Sequence, residues 1–83
     1  MGEVICVYRI MPESPDKFDQ VKASLEKMKP ERMEEEPIAF GLKAIRFTKV
    51  IPDQSGSQDE LEKTLESVDG VQNIETIQVS RSL

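Results

Sequence analysis

The order in which apolar patterns change along the chain most constrains its fold. Residues 3–11, EVICVYRIM, are rich in β-branched and apolar side chains, which is typical of a central strand that can be buried on both faces. Two stretches with apolar residues at helical spacing come later, and each is followed by an extended pattern. A chain of 83 residues is near the small end of what folds alone, so we expect one domain over residues 1–83.

The first helical pattern follows the loop sequence MPESPD. Ser14 is a favourable N-cap, and Pro15 suits the first helical position because its missing N–H costs little there. The apolar stripe of this helix consists of Phe18, Val21, Leu25 and Met28. We expect the helix to end near Lys29, because Pro30 disfavours helical backbone at the residue before it.

The second helical pattern follows the loop PDQSGS. Ser57 and Glu60 form an S-x-x-E pattern, which predicts a capping box at the start of the helix. Its apolar stripe consists of Leu61, Leu65 and Val68. Gly70 suits the left-handed position after the helix, and residues 71–80 are expected to form the last strand.

Two further strands are expected between the helices. Residues 33–40 form a short strand that belongs at a sheet edge, because Pro37 cannot donate a ladder hydrogen bond. Gly41 marks a turn or bulge, and residues 42–51 form the next strand. We expect Glu34–Glu36 to be solvated and to discourage pairing with other sheets.

The resulting order, β-α-β-β-α-β, predicts an α+β ferredoxin-like fold. Two right-handed crossovers place both helices on one face of a four-stranded antiparallel sheet with strand order 4-1-3-2. Because this fold carries many unrelated functions, the function has to be inferred from a site.

Composition excludes several functional classes. The net charge of −5 gives no general attraction for nucleic acid or anionic membranes, and the absence of histidine removes the commonest general base and zinc ligand. Cys6 is the only cysteine, so we expect a small buried hydrophobe and no internal disulfide. Phosphate-binding glycine motifs, a signal peptide and long apolar runs are absent from the sequence. We therefore expect a cytoplasmic protein that has no metal or cofactor and performs no covalent chemistry.

This fold serves RNA binding, metal transport and small-molecule regulation in different proteins. RNA binding on the sheet needs stacked aromatic residues on the central strands, and the RNP-type pattern is missing. Metal transport needs two cysteines after the first strand, and MPESPD has none. A small-molecule regulatory module of the ACT type stays open as an alternative, because DGVQNIETIQV resembles the helix end and final strand of such modules.

The segment EEEPIAFGLKAI places an aromatic residue beside a glycine at a bend. Phe40 either closes one edge of the core or stands out as an anchor for a protein partner. Exposed aromatic anchors are favoured in protein interfaces, because one rigid ring fills a pocket at little entropic cost.

The same segment carries a resemblance to a known family. Together with MPESPD, the acidic second helix and DGVQNIETIQVSRSL, it resembles the archaeal elongation factor 1-beta family over nearly the whole chain. These proteins are guanine-nucleotide exchange factors for elongation factor 1-alpha, and the family has the ferredoxin-like fold. The positions that match the family's proline, aromatic-glycine pair, aliphatic residue and lysine are Pro37, Phe40, Gly41, Leu42 and Lys43.

The resemblance implies how such a protein acts. Phe40 would press into a pocket of the GDP-bound GTPase, and Arg81 near the C-terminus would reach toward the magnesium and phosphate region, so that GDP leaves and GTP replaces it. We therefore expect Phe40 to be exposed and the C-terminal segment to lie near it on the same rim. Direct nucleic-acid binding is not expected, and the free protein is expected to be a monomer.

Overall fold

A computed structural model describes residues 2–39 and 41–82 of the chain. A short 3-10 turn at Pro15–Lys17 precedes the first helix. The strands and helices are β1 Glu3–Pro12, α1 Phe18–Glu26, β2 Arg32–Pro37, β3 Lys43–Pro52, α2 Ser57–Glu66 and β4 Val71–Ser82. The predicted order of elements is therefore confirmed.

The strands form one four-stranded sheet in the order β2-β3-β1-β4, and neighbouring strands are antiparallel. This is the predicted ferredoxin-like topology. Strand β2 lies at an edge, and its last residue, Pro37, pairs with Lys43. The edge position agrees with the missing N–H of the proline.

Alternate residues of β1 form the centre of the core. Its inward-facing side chains are Val4, Cys6, Tyr8 and Ile10, all of them buried. Across the ladder with β3, Tyr8 pairs with the buried Phe47 and Ile10 pairs with the buried Ile45. The predicted burial of Cys6 is confirmed.

Both helices contribute their apolar stripes to this core. Phe18, Val21 and Leu25 of α1 are buried, as are Leu61 and Leu65 of α2. The last stripe residue after each helix, Met28 or Val68, is half-buried against the same cluster. Burying one face of each helix on one face of the sheet leaves the other sheet face without a helical cover.

A buried hydroxyl ties β1 to α2. The side chain of Tyr8 is fully buried, and its hydroxyl donates a 3.0 Å hydrogen bond to Oε2 of Glu62. The same oxygen accepts a 2.9 Å hydrogen bond from the Gln58 amide. Burial, together with the Glu62 contact, raises the pKa of Tyr8 far above its ordinary value, so the phenol stays protonated as a donor.

The first helix is shorter than expected. It begins at Phe18 after the 3-10 turn, and it ends at Glu26 although the prediction extended it to near Lys29. Ser14 precedes the turn but makes no side-chain cap hydrogen bond. Lys29 adopts a left-handed backbone with φ of 55°, which leaves the helix before Pro30.

Two other predicted boundaries also change. The capping box at Ser57 is wrong, because Gly56 is the N-cap with φ of 86°, and no side chain caps the helix. Strand β2 ends at Pro37, not at residue 40, because the chain turns back toward β3 directly after the proline. Strand β4 continues to Ser82, two residues beyond the prediction.

Gly70 connects α2 to β4 in a left-handed conformation, as predicted, with φ of 95°. Its carbonyl accepts a 2.8 Å hydrogen bond from the N–H of Glu13. A Cβ atom at this position would lie 3.0 Å from Cγ2 of the buried Val21. Glycine is therefore needed here both for the backbone angle and for the close approach to α1.

Gly70→Ala is expected to lower the free energy of unfolding by about 2–3 kcal/mol, since left-handed strain and overpacking add. Gly56→Ala is the matched control, because it has a similar φ of 86° and open space around the added Cβ. It is expected to cost about 1–2 kcal/mol, from strain alone. Urea denaturation of both variants measures the difference, and equal losses would show that the contact with Val21 has no cost.

Candidate functional site

The β2–β3 turn carries most of the predicted partner-binding residues. It is closed by a 2.8 Å hydrogen bond from the Ile38 N–H to the Leu42 carbonyl and by a 3.1 Å bond from the Leu42 N–H to the Ala39 carbonyl. Gly41 has φ of 75°, and a Cβ there would meet nothing within 4 Å. The turn therefore depends on glycine for its backbone angle. Phe40 lies outside the described residues.

The described part of this turn is apolar and exposed. Ile38 is 44% exposed and Leu42 is 40% exposed, which is high for large hydrophobic residues. An open groove of about 440 Å³ lies beside the turn, and its lining includes Leu42, Pro15 and Phe18. Exposed apolar side chains next to a concave surface are a common feature of protein-binding sites.

Lys43 lies at the first position of β3, directly after the turn. Its ammonium nitrogen is 5.3 Å from the centre of the Phe18 ring and 3.4 Å from Oε1 of Glu35. The lysine is thus held against α1 and β2, although its side chain is still 53% exposed. Its head group remains available to a partner at this corner.

Glu35 has a structural role that the sequence did not indicate. Its Oε2 accepts a 3.1 Å hydrogen bond from Lys22 of α1, and its Oε1 accepts the one from Lys43. The Lys22 ammonium, and then that of Lys43, hold the pKa of the Glu35 carboxyl below its ordinary value. The Glu35 side chain is still 42% exposed, so the expected solvated charge is confirmed, and its two ion pairs are contacts that the sequence did not indicate.

Glu36 is also paired, on the opposite face of β2. Its carboxylate accepts hydrogen bonds from Nε and Nη2 of Arg9 at 2.6 and 3.4 Å. Arg9 also donates to Oε1 of Glu75 on β4 at 3.3 Å. This chain of charges connects β2, β1 and β4 on the sheet face without helices, and the Arg9 contact lowers the pKa of Glu36. Among the three glutamates, Glu34 and Glu35 are exposed as expected, whereas Glu36 is half-buried. Glu34 has only a local ion pair, to Arg32.

Arg81 lies on β4, where it pairs with Val4 at the start of β1. Its side chain is 75% exposed, and its Nε is 3.6 Å from Oδ2 of Asp53. An open groove of about 430 Å³ extends from Arg81 to the start of α2 and is also lined by Asp53 and Asp59. The arginine is therefore accessible, and its nearest ion-pair partner is the Asp53 carboxylate.

The structure separates Arg81 from the β2–β3 turn. Arg81 pairs with Val4 at one end of β1, whereas Lys43 lies beyond the Ile10–Ile45 pair at the other end. Val4 and Ile10 alone are roughly 20 Å apart along the strand. The expectation that the C-terminal segment shares a rim with this turn is therefore wrong. Antiparallel pairing brings the end of β4 back to the start of β1.

Sequence reasoning missed Arg9, Glu35, Glu36 and Asp53 as structural partners of the predicted residues. One signal was present, because Arg9 follows the mostly apolar residues 4–8 of a central strand and favours a counter-charge on its face of the sheet. Strand alternation also points Glu35 and Glu36 to opposite faces. The identity of their partners depends on the register between strands.

Neither a metal cluster nor a membrane span is found in the described part of the chain. No group of three or more acidic or cysteine side chains within residues 2–39 and 41–82 is arranged to hold a metal ion. Neither α1 nor α2 is long and apolar enough to cross a membrane.

Comparison with known proteins decides the family. Residues 5–81 match the model of the EF-1 guanine nucleotide exchange domain. The chain belongs to this exchange-domain family. The match covers all strands and both helices of the fold, apart from the ends of β1 and β4.

Curated relatives of this exchange domain cover nearly the whole chain. It is 41% identical to elongation factor 1-beta of Methanoregula boonei, with 96% of this chain and 98% of the relative aligned. Identity to elongation factor 1-beta of Methanothermobacter thermautotrophicus is 38%, with 98% of both chains aligned. Elongation factor 1-beta of Natronomonas pharaonis is 37% identical, with 98% and 99% aligned. The resemblance noted from the sequence is confirmed.

Lowering the pH is expected to reduce the free energy of unfolding of the exchange domain, because Glu35 and Glu36 lose their charge. Both carboxyls have a pKa in the folded state below the ordinary value of 4.5. As the pH falls, they are therefore protonated in the unfolded chain before they are protonated in the folded protein. Their contribution to stability is therefore present above pH 4.5 and is lost as the pH falls through the folded pKa values. The facing charges are Lys22 and Lys43 for Glu35, and Arg9 and Arg46 for Glu36.

The measurement is urea denaturation of the wild type and of the Glu35→Gln/Glu36→Gln variant from about pH 7 to about pH 3. The wild type should be the more stable of the two at neutral pH, and the difference should shrink as the pH falls. A difference that stays constant over this range would contradict the assignment. Glu34→Gln, which changes only a local ion pair, is the control.

Proposed function

We propose that this chain promotes the exchange of GDP for GTP on elongation factor 1-alpha during translation elongation, and that it does so by protein contact without covalent chemistry. The match of residues 5–81 to the EF-1 guanine nucleotide exchange domain carries this proposal. An exchange factor lowers a kinetic barrier to nucleotide release, so it needs neither a nucleophile nor a general base. This requirement agrees with a sequence that has no histidine.

The alternative of an ACT-type regulatory module is not favoured. Its support was limited to the segment DGVQNIETIQV, whereas the exchange-domain match covers nearly the whole chain. The grooves beside the β2–β3 turn and beside Arg81 are also open to solvent. Enclosed apolar pockets are the usual sites for small molecules, and open grooves fit a protein partner better.

The first proposed contact is the β2–β3 turn. Phe40 would be the anchor that enters a pocket of the GTPase, with Pro37 and Gly41 setting the course of the backbone around it. Lys43 would add a charged contact at the same corner. The exposed side chains of Ile38 and Leu42 support this assignment, because a partner that covers the turn also buries these apolar groups.

The second proposed contact is Arg81. Nucleotide affinity in GTPases depends strongly on magnesium and the phosphate-binding loop. A cation that approaches this region competes electrostatically with the metal and speeds the release of GDP. The 75% exposure of the Arg81 side chain supports such a role, since its guanidinium is free to leave Asp53 for a partner.

The separation of these two contacts shapes the proposed complex. The protein measures 42 × 21 × 17 Å, and the β2–β3 turn and Arg81 lie toward opposite ends of β1. A single protomer would therefore contact elongation factor 1-alpha at two separate places. We propose that the partner is its GDP-bound form, that the free factor is a cytoplasmic monomer, and that it makes no direct contact with nucleic acid.

The wild-type protein is expected to accelerate the release of fluorescent GDP from elongation factor 1-alpha of the same organism. Because a catalyst of exchange is regenerated, sub-stoichiometric amounts should release GDP from many GTPase molecules. The measurement is the fluorescence decay after addition of excess unlabelled GTP. Unchanged release from a GTPase shown to bind GTP would contradict the proposed function.

In this assay, Phe40→Ala is expected to weaken docking on the GTPase, and Arg81→Ala is expected to slow the displacement of GDP. Phe40→Ala should raise the KM for the GTPase by about 30-fold, the effect of losing an interface anchor worth about 2 kcal/mol. Arg81→Ala should lower kcat by about tenfold or more, with a smaller effect on KM.

Arg32→Ala is the matched control for Arg81→Ala, because it removes another arginine with a side chain that is 71% exposed. It should leave both constants unchanged. If Arg81→Ala behaved like Arg32→Ala, the role proposed for the C-terminal arginine would be wrong.

A further inference from the structure

The base of the β2–β3 turn is held from both faces of the sheet. Glu35 and Glu36 are consecutive residues of β2, and they directly precede Pro37, where the strand ends. Glu35 pairs with Ile45 in the ladder, and Glu36 pairs with Ala44. Strand alternation directs the two carboxylates to opposite faces.

On the helix-covered face, Glu35 joins three elements. It accepts hydrogen bonds from Lys22 of α1 at 3.1 Å and from Lys43 of β3 at 3.4 Å. Lys43 in turn lies over the ring of the buried Phe18. The end of β2 is thereby connected to α1, with which a strand at the sheet edge would otherwise make few contacts.

On the other face, Glu36 reaches the central strand. Its bidentate pair with Arg9 passes from β2 to β1, across the position of β3 where Ala44 lies. Ala44 is fully buried although no helix covers this face, which agrees with side chains lying over it. A bidentate arginine–carboxylate pair fixes orientation as well as distance.

We propose that Glu35 and Glu36 are positioning residues that form a two-sided clamp, with Glu35 held by Lys22 and Lys43 and Glu36 held by Arg9, and that this clamp presents the β2–β3 turn to the GTPase. The proposal rests on the proposed function. A surface that is preorganised in its bound conformation loses less entropy on binding. The clamp therefore acts on affinity, whereas Arg81 acts on nucleotide release at the other end of the sheet.

Glu34 provides the matched control within the same run of glutamates. It pairs with Arg32 two residues earlier on its own strand, at 3.1 Å, and both side chains are more than half exposed. This ion pair connects no separate elements. Replacing Glu34 by glutamine changes the net charge as each single clamp variant does, but it leaves the clamp intact.

The experiment compares Glu35→Gln, Glu36→Gln and the double variant with Glu34→Gln and the wild type. Amide hydrogen exchange measured by NMR reports on the turn through the amides of Ile38 and Leu42, which close it. In the double variant these amides should exchange about fivefold faster, because the ion pairs that hold the base of the turn are lost. The Tyr8 amide in the central strand should be unchanged, which shows that the fold is intact.

The exchange assay tests the functional part of the clamp. The double variant should raise the KM for GDP-bound elongation factor 1-alpha by about fivefold and leave kcat unchanged, because it disturbs docking and not displacement. Glu34→Gln should keep both constants within about twofold of the wild type. A lowered kcat with an unchanged KM would overturn the positioning role.

The two readouts distinguish failure of the clamp from failure of the proposed function. Amides of Ile38 and Leu42 that exchange equally fast in the double variant and in Glu34→Gln would overturn the clamp, whatever the assay shows. Faster amide exchange with an unchanged KM would overturn its role in docking. A wild-type protein that does not accelerate GDP release would overturn the proposed function and the docking role with it, while the amide data would still decide whether the clamp holds the turn.

Discussion

The rest of the structure depends on the burial of one face of β1. This strand is paired on both sides, and its alternate side chains lie beneath both helices. Tyr8 is at the centre of this row, where an unpaired buried hydroxyl would cost roughly 1–3 kcal/mol. The hydrogen bond to Glu62 removes that cost, and it also fixes α2 over the middle of the sheet. Strands β3 and β4 both pair with β1. The register of these two ladders therefore determines which residues of β3 and β4 lie at each end of the sheet.

The other face of β1 organises the charged surface. Arg9 connects Glu36 on one side of the sheet with Glu75 on the other. Opposite charges are thus matched along a face that no helix covers. An acidic protein with a net charge of −5 keeps Lys43 exposed toward one end of the sheet and Arg81 exposed toward the other. Each end therefore carries a local positive charge that the net charge does not reveal.

This arrangement is compatible with the exchange-domain family to which the chain belongs. Lys43 and Arg81, two of the residues proposed to contact the partner, are exposed and are held by neighbouring carboxylates. The β2–β3 turn is braced by the clamp, and Arg81 rests beside Asp53. A long sheet with exposed cationic groups toward both ends would allow a small domain to contact a larger protein at two places, as the proposed docking and displacement require.

Much of the fold follows from local patterns in the sequence. The apolar stripes of α1 and α2, the alternation in β1 and the edge position required by Pro37 predicted the topology correctly, because side-chain periodicity and the missing proline N–H act within a few residues. Local patterns were less reliable at boundaries. Ser57 was predicted to cap α2, but Gly56 does so, because the left-handed turn before the helix is favoured by glycine and places the serine inside the first turn.

The candidate site shows the same division between local and long-range effects. The sequence by itself, with EEEPIAFGLKAI as its most specific segment, determined the resemblance to the exchange-factor family that led to the function. Only the tertiary structure decided that Glu36 meets Arg9, that Glu35 meets Lys22, and that Arg81 lies at the end of the sheet away from Lys43. Each of these facts depends on strand order and register, which join residues far apart in the chain. Antiparallel pairing of β4 with β1 returns the C-terminal residues to the start of β1, and no pattern within β4 alone contains that information.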